Sequence, residues 1–127
     1  MWPFFSCGED MEYSDSLKKT CDFSRVYKNG KSYGNKYLVM YVLENHTDMN
    51  RVGISVSKKV GNSVVRHRVT RLVRESYRLH ENIFNSGLDI VVVARKNAHG
   101  ASYADIESAL LHLGKLHRII KIFFYND

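Results

Sequence analysis

The sequence has few of the residues that build covalent or metal-centred frameworks. Its 127 residues include only two cysteines, Cys7 and Cys21, and this number and spacing fit neither a disulfide framework nor a metal site. We expect both to be reduced thiols in a cytoplasmic protein. Carboxylates and histidines with metal-ligand spacing are lacking, as is a glycine-rich loop followed by lysine. The sequence therefore offers little to a nuclease that acts on its own.

Long apolar runs are also missing. No segment approaches the roughly 20 apolar residues of a membrane span, and MWPFFSCGED has no basic region of the kind that opens a signal peptide. The composition, 44% hydrophobic and 25% charged, is that of a globular protein. We expect one domain over residues 16–118, between a poorly ordered extension (1–15) and a tail (119–127).

Charge is what the chain has in excess, and it is concentrated. The net charge is +6, with 19 Lys and Arg against 13 Asp and Glu. Residues 58–78 contain seven Lys and Arg but a single acid, Glu75. The net charge of this segment, +6, therefore equals that of the whole chain. Such a concentrated field favours a polyanionic partner, either nucleic acid or an anionic membrane surface.

The remaining segments predict a short helix, three strands and a last helix. Residues 23–29 form the helix, with Asp22 as N-cap and Gly30 as left-handed C-cap. Strands are predicted over 37–43, 52–57 and 88–95, with the first two paired and the third buried on both faces. Ser102 and Asp105 indicate a capping box for a helix that ends near residue 118.

The basic segment itself predicts a two-sided helix. At about 100° per residue, a core stripe forms from Val65, Val69, Leu72, Ser76, Leu79 and Ile83. The opposite face is a cationic ridge of His67, Arg71, Arg74 and Arg78, flanked by Arg66 and Arg68. Like charges at this spacing repel each other, and phosphate binding explains why the repulsion is tolerated, because arginine forks match phosphate oxygens.

Two other interpretations of this helix remain open. The first is an exposed, solvated helix whose charge has no binding role. The second is a basic amphipathic helix that lies on a membrane surface. The second is disfavoured, because the apolar face is narrow and residues 60–80 contain no Trp or Phe. Nucleic acid is therefore the favoured partner, and the helix-start amides with Lys58 and Lys59 offer an anion a first contact.

The motifs resemble the protein subunit of bacterial ribonuclease P. KKVGNSVVRHRVTRLVRE is similar to that family's Lys-Lys-x-Gly-Asn turn followed by Ala-Val-x-Arg-Asn-Arg-x-Lys-Arg-x-x-Arg. LKKTCDFSRVYKNGKSYGNKYLVMYVL resembles its opening pattern, RVGISVSKKVGN its third strand and LDIVVVARKNA its fourth. The resemblance covers about residues 16–118. His67 stands where the family usually has Asn, and Thr70 where it usually has Lys.

The resemblance implies a fold and a function. The fold is α+β: a single mixed sheet of about four strands with three helices, in which a left-handed β-α-β crossover contains the arginine-rich helix, as in the second domain of a small-subunit ribosomal protein. The function is to bind the catalytic RNA subunit and assist its removal of 5′ leaders from precursor tRNA. The RNA performs the hydrolysis with Mg²⁺, and the protein binds no cofactor. No membrane or DNA partner is expected.

A second site is predicted on the strand over 37–43. Alternation along this strand places Tyr41 on the face opposite to Leu38, Met40 and Val42. There Tyr41 forms an aromatic trough with Phe23, Tyr27, Ser55 and Ser57. Single-stranded RNA stacks on such surfaces. Packing of Phe23 and Tyr27 into the core is the alternative.

The resemblance assigns residues to both sites. It implies that the RNA subunit contacts Lys58, Lys59, Asn62, Arg66, His67, Arg68, Arg71 and Arg74. It implies that the 5′ leader contacts Phe23, Tyr27, Val39, Tyr41 and Ser55, bordered by Lys59, Arg66 and His67. A basic RNA-binding module without an enzymatic partner, such as a ribosome-associated protein, remains the alternative function. A metal nuclease acting without RNA would need the ligand cluster that the sequence lacks.

Overall fold

The protein forms one mixed sheet with three helices. The structure, a computed structural model, describes residues 14–17 and 20–121. The strands are β1 (Ser14–Ser16), β2 (Lys31–Gly34), β3 (Leu38–Glu44), β4 (Asn50–Ser55) and β5 (Leu88–Ala94). The helices are α1 (Thr20–Asn29), α2 (Ser63–His80) and α3 (Tyr103–Leu116), with 3₁₀ turns at Glu81–Ile83 and Lys96–Ala98. No helix in these ranges is both long and apolar enough to cross a membrane.

The sheet has the order β1-β4-β5-β3-β2. β4 and β5 are parallel, whereas β3 is antiparallel to both β5 and β2. The prediction that the strands over 37–43 and 52–57 pair with each other is wrong, because the crossover through α2 brings β5 between β3 and β4. Because parallel neighbours need a crossover, α2 joins β4 to β5, as expected. The α+β class, the three helices and the single mixed sheet are confirmed, with the short β1 added parallel to β4. The left hand of the crossover stays a prediction.

The first helix differs from its prediction at both ends. α1 begins at Thr20, so Asp22 lies in its first turn and is not the N-cap. Gly30 is not left-handed, because the described glycines with positive φ are Gly87 and Gly100. A Cβ at Gly30 would lie 2.7 Å from the Val26 carbonyl oxygen and 2.8 Å from that of Val42. Close backbone approach is what requires glycine there.

The main core lies between the sheet and the pair α2 and α3. Leu38, Met40 and the alternate residues of β4 and β5 point into it. The stripe of α2 that reaches this core is rotated from the predicted one: Val73 and Tyr77 are fully buried, while Leu79 is 53% exposed. α2 packs on both β4 and α3, so its buried side turns towards the corner between them.

The last helix begins as predicted. The Ser102 hydroxyl accepts from the Asp105 backbone N–H, and the Asp105 carboxylate accepts from the Ser102 N–H, which completes the capping box. The packed chain continues past α3, because Ile119 and Ile120 are buried and Ile120 bridges to Phe84. Core packing therefore extends beyond residue 118.

A buried carboxylate links α1 to the middle of the sheet. The Asp89 side chain is 0% exposed. It accepts hydrogen bonds from Arg25 Nη2 at 2.7 Å, from Arg51 Nε and Nη2 at 2.9 and 2.8 Å, and from Asn45 Nδ2 at 2.9 Å. Burial raises the pKa of Asp89, but the bonds from Arg51, Asn45 and Arg25 outweigh it and leave the pKa below 3.8.

We predict that Asp89→Asn lowers the free energy of unfolding by about 3 kcal/mol. This is the low end of the range for breaking a buried ion pair, because Arg25 and Arg51 keep part of their surface in water. Urea unfolding measures the change. Glu75→Gln is the control, since it breaks the half-exposed pair with Arg78 and costs less than about 1 kcal/mol. Equal losses in the two variants would contradict the prediction.

The Asp89 contribution also depends on pH. Because the folded pKa lies below the unfolded one, the ionised carboxylate stabilises the protein fully above the unfolded value of about 3.9. The contribution is lost as pH falls through the folded pKa. We therefore expect the stability difference between the parent and Asp89→Asn to be constant from pH 7 to 5 and to shrink below pH 4. A difference that widens on acidification would refute this assignment.

Candidate nucleic-acid interface

The start of α2 presents a tight turn with two lysines. Asn62 is the N-cap, and its side-chain oxygen accepts from the Val65 backbone N–H at 3.0 Å. A Cβ at Gly61 would lie 2.7 Å from Val65 Cγ1, so glycine is needed for the close turn. Lys58 and Lys59 are exposed beside it. The turn thus places two cations next to the positive end of the helix dipole.

The cationic ridge is narrower than its sequence predicts. His67, Arg68 and Arg71 are exposed, and Arg66 is half-buried. Arg74, however, is only 9% exposed, so the prediction that it lies on the open face is wrong. α2 packs against both β4 and α3. A larger part of its surface is therefore buried than the single stripe that would face the sheet alone. The exposed part of the ridge is the N-terminal half of the helix.

Two cations of the ridge and its flank, and the neighbouring Thr70, also make contacts within the fold. Arg78 Nη2 donates to Glu75 Oε2 at 2.6 Å, and Arg68 Nη2 donates to the Ala101 carbonyl at 2.9 Å. The Thr70 hydroxyl donates to the Arg66 carbonyl one turn earlier at 2.9 Å. Thr70 therefore turns back onto the helix, and the ridge lacks a cation where the resemblance has lysine.

The aromatic trough lies on the opposite face of the sheet, beside α1. The Phe23 and Tyr27 ring centroids are 6.3 Å apart, and Tyr27 meets Tyr41 edge-on at 4.9 Å. Phe23 is half-buried against the small cluster of Leu17, Val26 and Val91, whereas Tyr27 is 40% exposed. Both interpretations of these rings hold in part: Phe23 packs, and Tyr27 offers an open face.

Gly53 sets how deeply Phe23 sits in the trough. A Cβ at this buried position of β4 would lie 2.6 Å from Phe23 Cζ and 2.8 Å from its Cε1. Real side chains do not approach this closely, so the Phe23 ring rests directly on the Gly53 backbone. The trough floor at this level is main chain.

Beyond α1 the floor continues as side chains of three strands. Ser55 of β4 pairs with Val93 of β5, and Val93 pairs with Val39 of β3. All three are half-buried. Val93 belongs to this surface, although the sequence predicts a strand that is covered on both faces. Asp89, a polar residue in an apolar run, is the signal that could have identified the face that Val93 shares with it.

Tyr27 contributes a neutral ring to this surface. Burial raises its pKa above 10.0, although a hydrogen bond with Ser55 acts in the opposite direction. The phenol therefore stays protonated at neutral pH. A base or phosphate that approaches the ring meets no negative charge.

The ridge and the trough meet at one end of the sheet. β4 ends at Ser55, on the trough face, and α2 begins eight residues later on the core face. The connecting segment carries Lys58 and Lys59, and the Lys59 backbone N–H is held by the Ser57 hydroxyl at 3.3 Å. The two lysines therefore follow directly after the strand end that contributes Ser55 to the trough.

Several acidic side chains of the described residues form ion pairs within the fold. Asp89 and Asp22 face arginines, Glu75 binds Arg78, and Glu107 pairs with His80. No three His, Cys, Asp or Glu residues among residues 14–17 and 20–121 group into a set that could hold a metal. Cys21 is an exposed free thiol, and Cys7 lies outside these ranges.

Comparison with known proteins agrees with the observed fold. The family model described as Ribonuclease P matches residues 11–118. The ribonuclease P protein component of Lachnoclostridium phytofermentans is 66% identical over 107 residues, covering 84% of this chain and 92% of that protein. That of Clostridioides difficile is 49% identical over 107 residues, covering 84% and 94%.

Solved structures give the same answer. The RNase P protein of Staphylococcus aureus superposes with a TM-score of 0.78 at 37% identity, covering 84% of this chain and 98% of that chain. The RNase P protein from Thermotoga maritima gives 0.73 at 32% identity, covering 80% and 96%. With the turn, the arginine helix and the sheet all matched, the chain belongs to the family of ribonuclease P protein components.

Proposed function

We propose that the protein binds the catalytic RNA of ribonuclease P with α2 and the 5′ leader of precursor tRNA with the aromatic trough. One observation carries the proposal: an exposed cationic helix face and an open aromatic groove meet at the same end of one sheet. Arginine and lysine suit the phosphates of a folded RNA. Aromatic faces suit unpaired bases. A protein with both can hold an enzyme RNA and its substrate together.

The RNA-subunit site in this proposal is the exposed part of the ridge with the turn before it. The residues assigned to it are Lys58, Lys59, Arg66, His67, Arg68 and Arg71. Asn62 supports them by capping the helix. Arg74 is left out, because a side chain only 9% exposed has little surface to offer a phosphate.

The leader site comprises both walls and the floor of the trough. Phe23, Tyr27 and Tyr41 provide rings for stacking, and Val39, Val93 and Ser55 provide the floor. Lys59, Arg66 and His67 border the end from which the leader continues towards the RNA subunit. Stacking and backbone contacts of this kind tolerate any base, which suits leaders of varied sequence.

The protein has no part in the chemical step of this proposal. No three His, Cys, Asp or Glu residues in the described part of the chain group into a metal site, and Mg²⁺ held by the RNA subunit would supply the chemistry of the hydrolysis. The protein contributes affinity and orientation in the cytoplasm, where precursor tRNA is processed. Its effect should therefore appear in substrate binding and in the Mg²⁺ concentration needed.

Reconstitution tests the proposal directly. Purified protein is added to the catalytic RNA, and cleavage of precursor tRNA is measured against Mg²⁺ concentration and leader length. We expect a lower Mg²⁺ requirement and tighter binding of substrates with longer leaders. Binding to many RNAs with no effect on cleavage would instead identify a basic module without an enzymatic partner. Cleavage by the protein after all RNA is removed would contradict the non-catalytic role.

Arg71→Ala should weaken RNA-subunit binding in a salt-dependent way. Each lost phosphate contact makes the slope of log affinity against log salt shallower by about one. The measurement is a binding titration at several KCl concentrations. Lys31→Ala is the matched control, since it removes one exposed cation from edge strand β2 and should leave the slope unchanged. Equal slopes for parent and Arg71→Ala would remove Arg71 from the interface.

Tyr27→Ala should act on the substrate instead of the RNA subunit. Loss of one stacked base costs about 1 to 3 kcal/mol of substrate affinity, and only for substrates whose leader reaches the trough. Tyr27→Phe keeps the ring and should retain most of the affinity. Affinities are compared for substrates with long leaders and with none. A loss that is the same for both substrates would contradict leader stacking.

A further inference from the structure

α1 is attached to the sheet by a small apolar contact and by ion pairs. Of its described residues Thr20–Asn29, Val26 alone is buried, while the half-buried Phe23 rests on Gly53 and packs with Leu17 and Val91. Tyr27 is 40% exposed. Arg25 reaches the buried Asp89, and Asp22 lies 3.5 Å from Arg51 Nη1. The location of α1 therefore depends on the Asp89 cluster as well as on packing.

Asp89 joins three parts of the fold at one point. It lies on β5, its register partner on β4 is Arg51, and its opposite neighbour on β3 is Leu43. Arg51 fastens it to the adjacent strand, and Arg25 fastens it to α1. Asn45 adds a bond from the segment after β3. Since the carboxylate is fully buried, it holds these groups in fixed geometry and cannot itself contact RNA.

Arg25 lies between the two trough rings of α1 along the helix. Phe23 and Tyr27 are two residues before and after it, so each is displaced by only about 3 Å along the axis. The bond from Arg25 Nη2 to Asp89 Oδ2, at 2.7 Å, therefore fixes the height and rotation of the same turn that carries both rings. The edge-on contact of Tyr27 with Tyr41 depends on that rotation.

We propose that Asp89 and Arg25 are positioning residues that set the width of the aromatic trough and so its grip on the leader. This deepens the function proposed above and rests on it. In this proposal the rings stack on bases, and the Asp89–Arg25 bond holds the turn of α1 that carries Phe23 and Tyr27 in place against Tyr41. Neither residue belongs to the ridge, so RNA-subunit binding should not depend on them.

Arg25→Met in the full chain is the sharpest test. Methionine keeps an unbranched apolar stem, and Asp89 retains Arg51 and Asn45, so the buried carboxylate is not left without partners. We expect the gain in affinity from a long leader to fall about fivefold, equivalent to about 1 kcal/mol. Affinity for the RNA subunit should stay within about twofold. Lys28→Met removes the same charge from an exposed position of α1 and should leave the leader gain unchanged.

Hydrogen exchange of the protein without RNA supplies an independent measurement. Arg25→Met should exchange faster at α1 amides, with β5 and α2 unchanged, because one tether of a weakly packed helix is lost. Retention of the full leader gain by Arg25→Met, or an equal loss of leader and RNA-subunit binding, would overturn the positioning role. If the parent protein itself shows no leader gain, the proposed leader site fails and this inference fails with it. The leader gain of the parent protein therefore distinguishes failure of the leader site from failure of the positioning role alone.

Discussion

The location of β5 in the centre of the sheet is the constraint on which the rest of the structure depends. It is hydrogen-bonded to parallel β4 on one side and to antiparallel β3 on the other, and all its residues except the half-buried Val93 are buried. A strand with two apolar faces needs cover on each. α2 and α3 cover one face almost completely. α1, with ten residues, covers only part of the other face. The aromatic trough lies between α1 and the part of this face that α1 leaves uncovered.

Both candidate sites follow from this arrangement. The parallel pairing of β4 with β5 requires a long crossover, and that crossover is the helix that carries the ridge. The antiparallel β3 supplies Tyr41 and Val39 to the trough on the opposite face. Ridge and trough are therefore separated by the thickness of the sheet, yet joined through the segment between Ser55 and Ser63. The Asp89 cluster then ties the short α1 to the strands whose side chains complete the groove.

Periodicity alone predicted much of this, because each pattern reflects local chemistry. The alternation of β3 separated Leu38 and Met40 from Tyr41, and the Ser102 capping box forms as predicted. Errors arose where a second element intervened. Arg74 projects onto the open face of an isolated helix, but α2 has two packing partners. Glycine is needed at position 30 because β3 approaches the end of α1 closely. The sequence of the helix alone does not indicate this contact. Val93 joins the trough because of its register partners.

The sequence by itself determined the three helices, the three longer strands, the charge concentrated in α2 and, through its motifs, the family. These properties are local, since a helix, a strand or an arginine-rich face is written in consecutive residues. Tertiary structure alone decided which cations remain exposed, which rings face each other across the trough, and that Asp89 meets Arg25 across 64 residues of chain. Such contacts depend on strand order and helix packing, because residues distant in sequence become neighbours only when the sheet has formed.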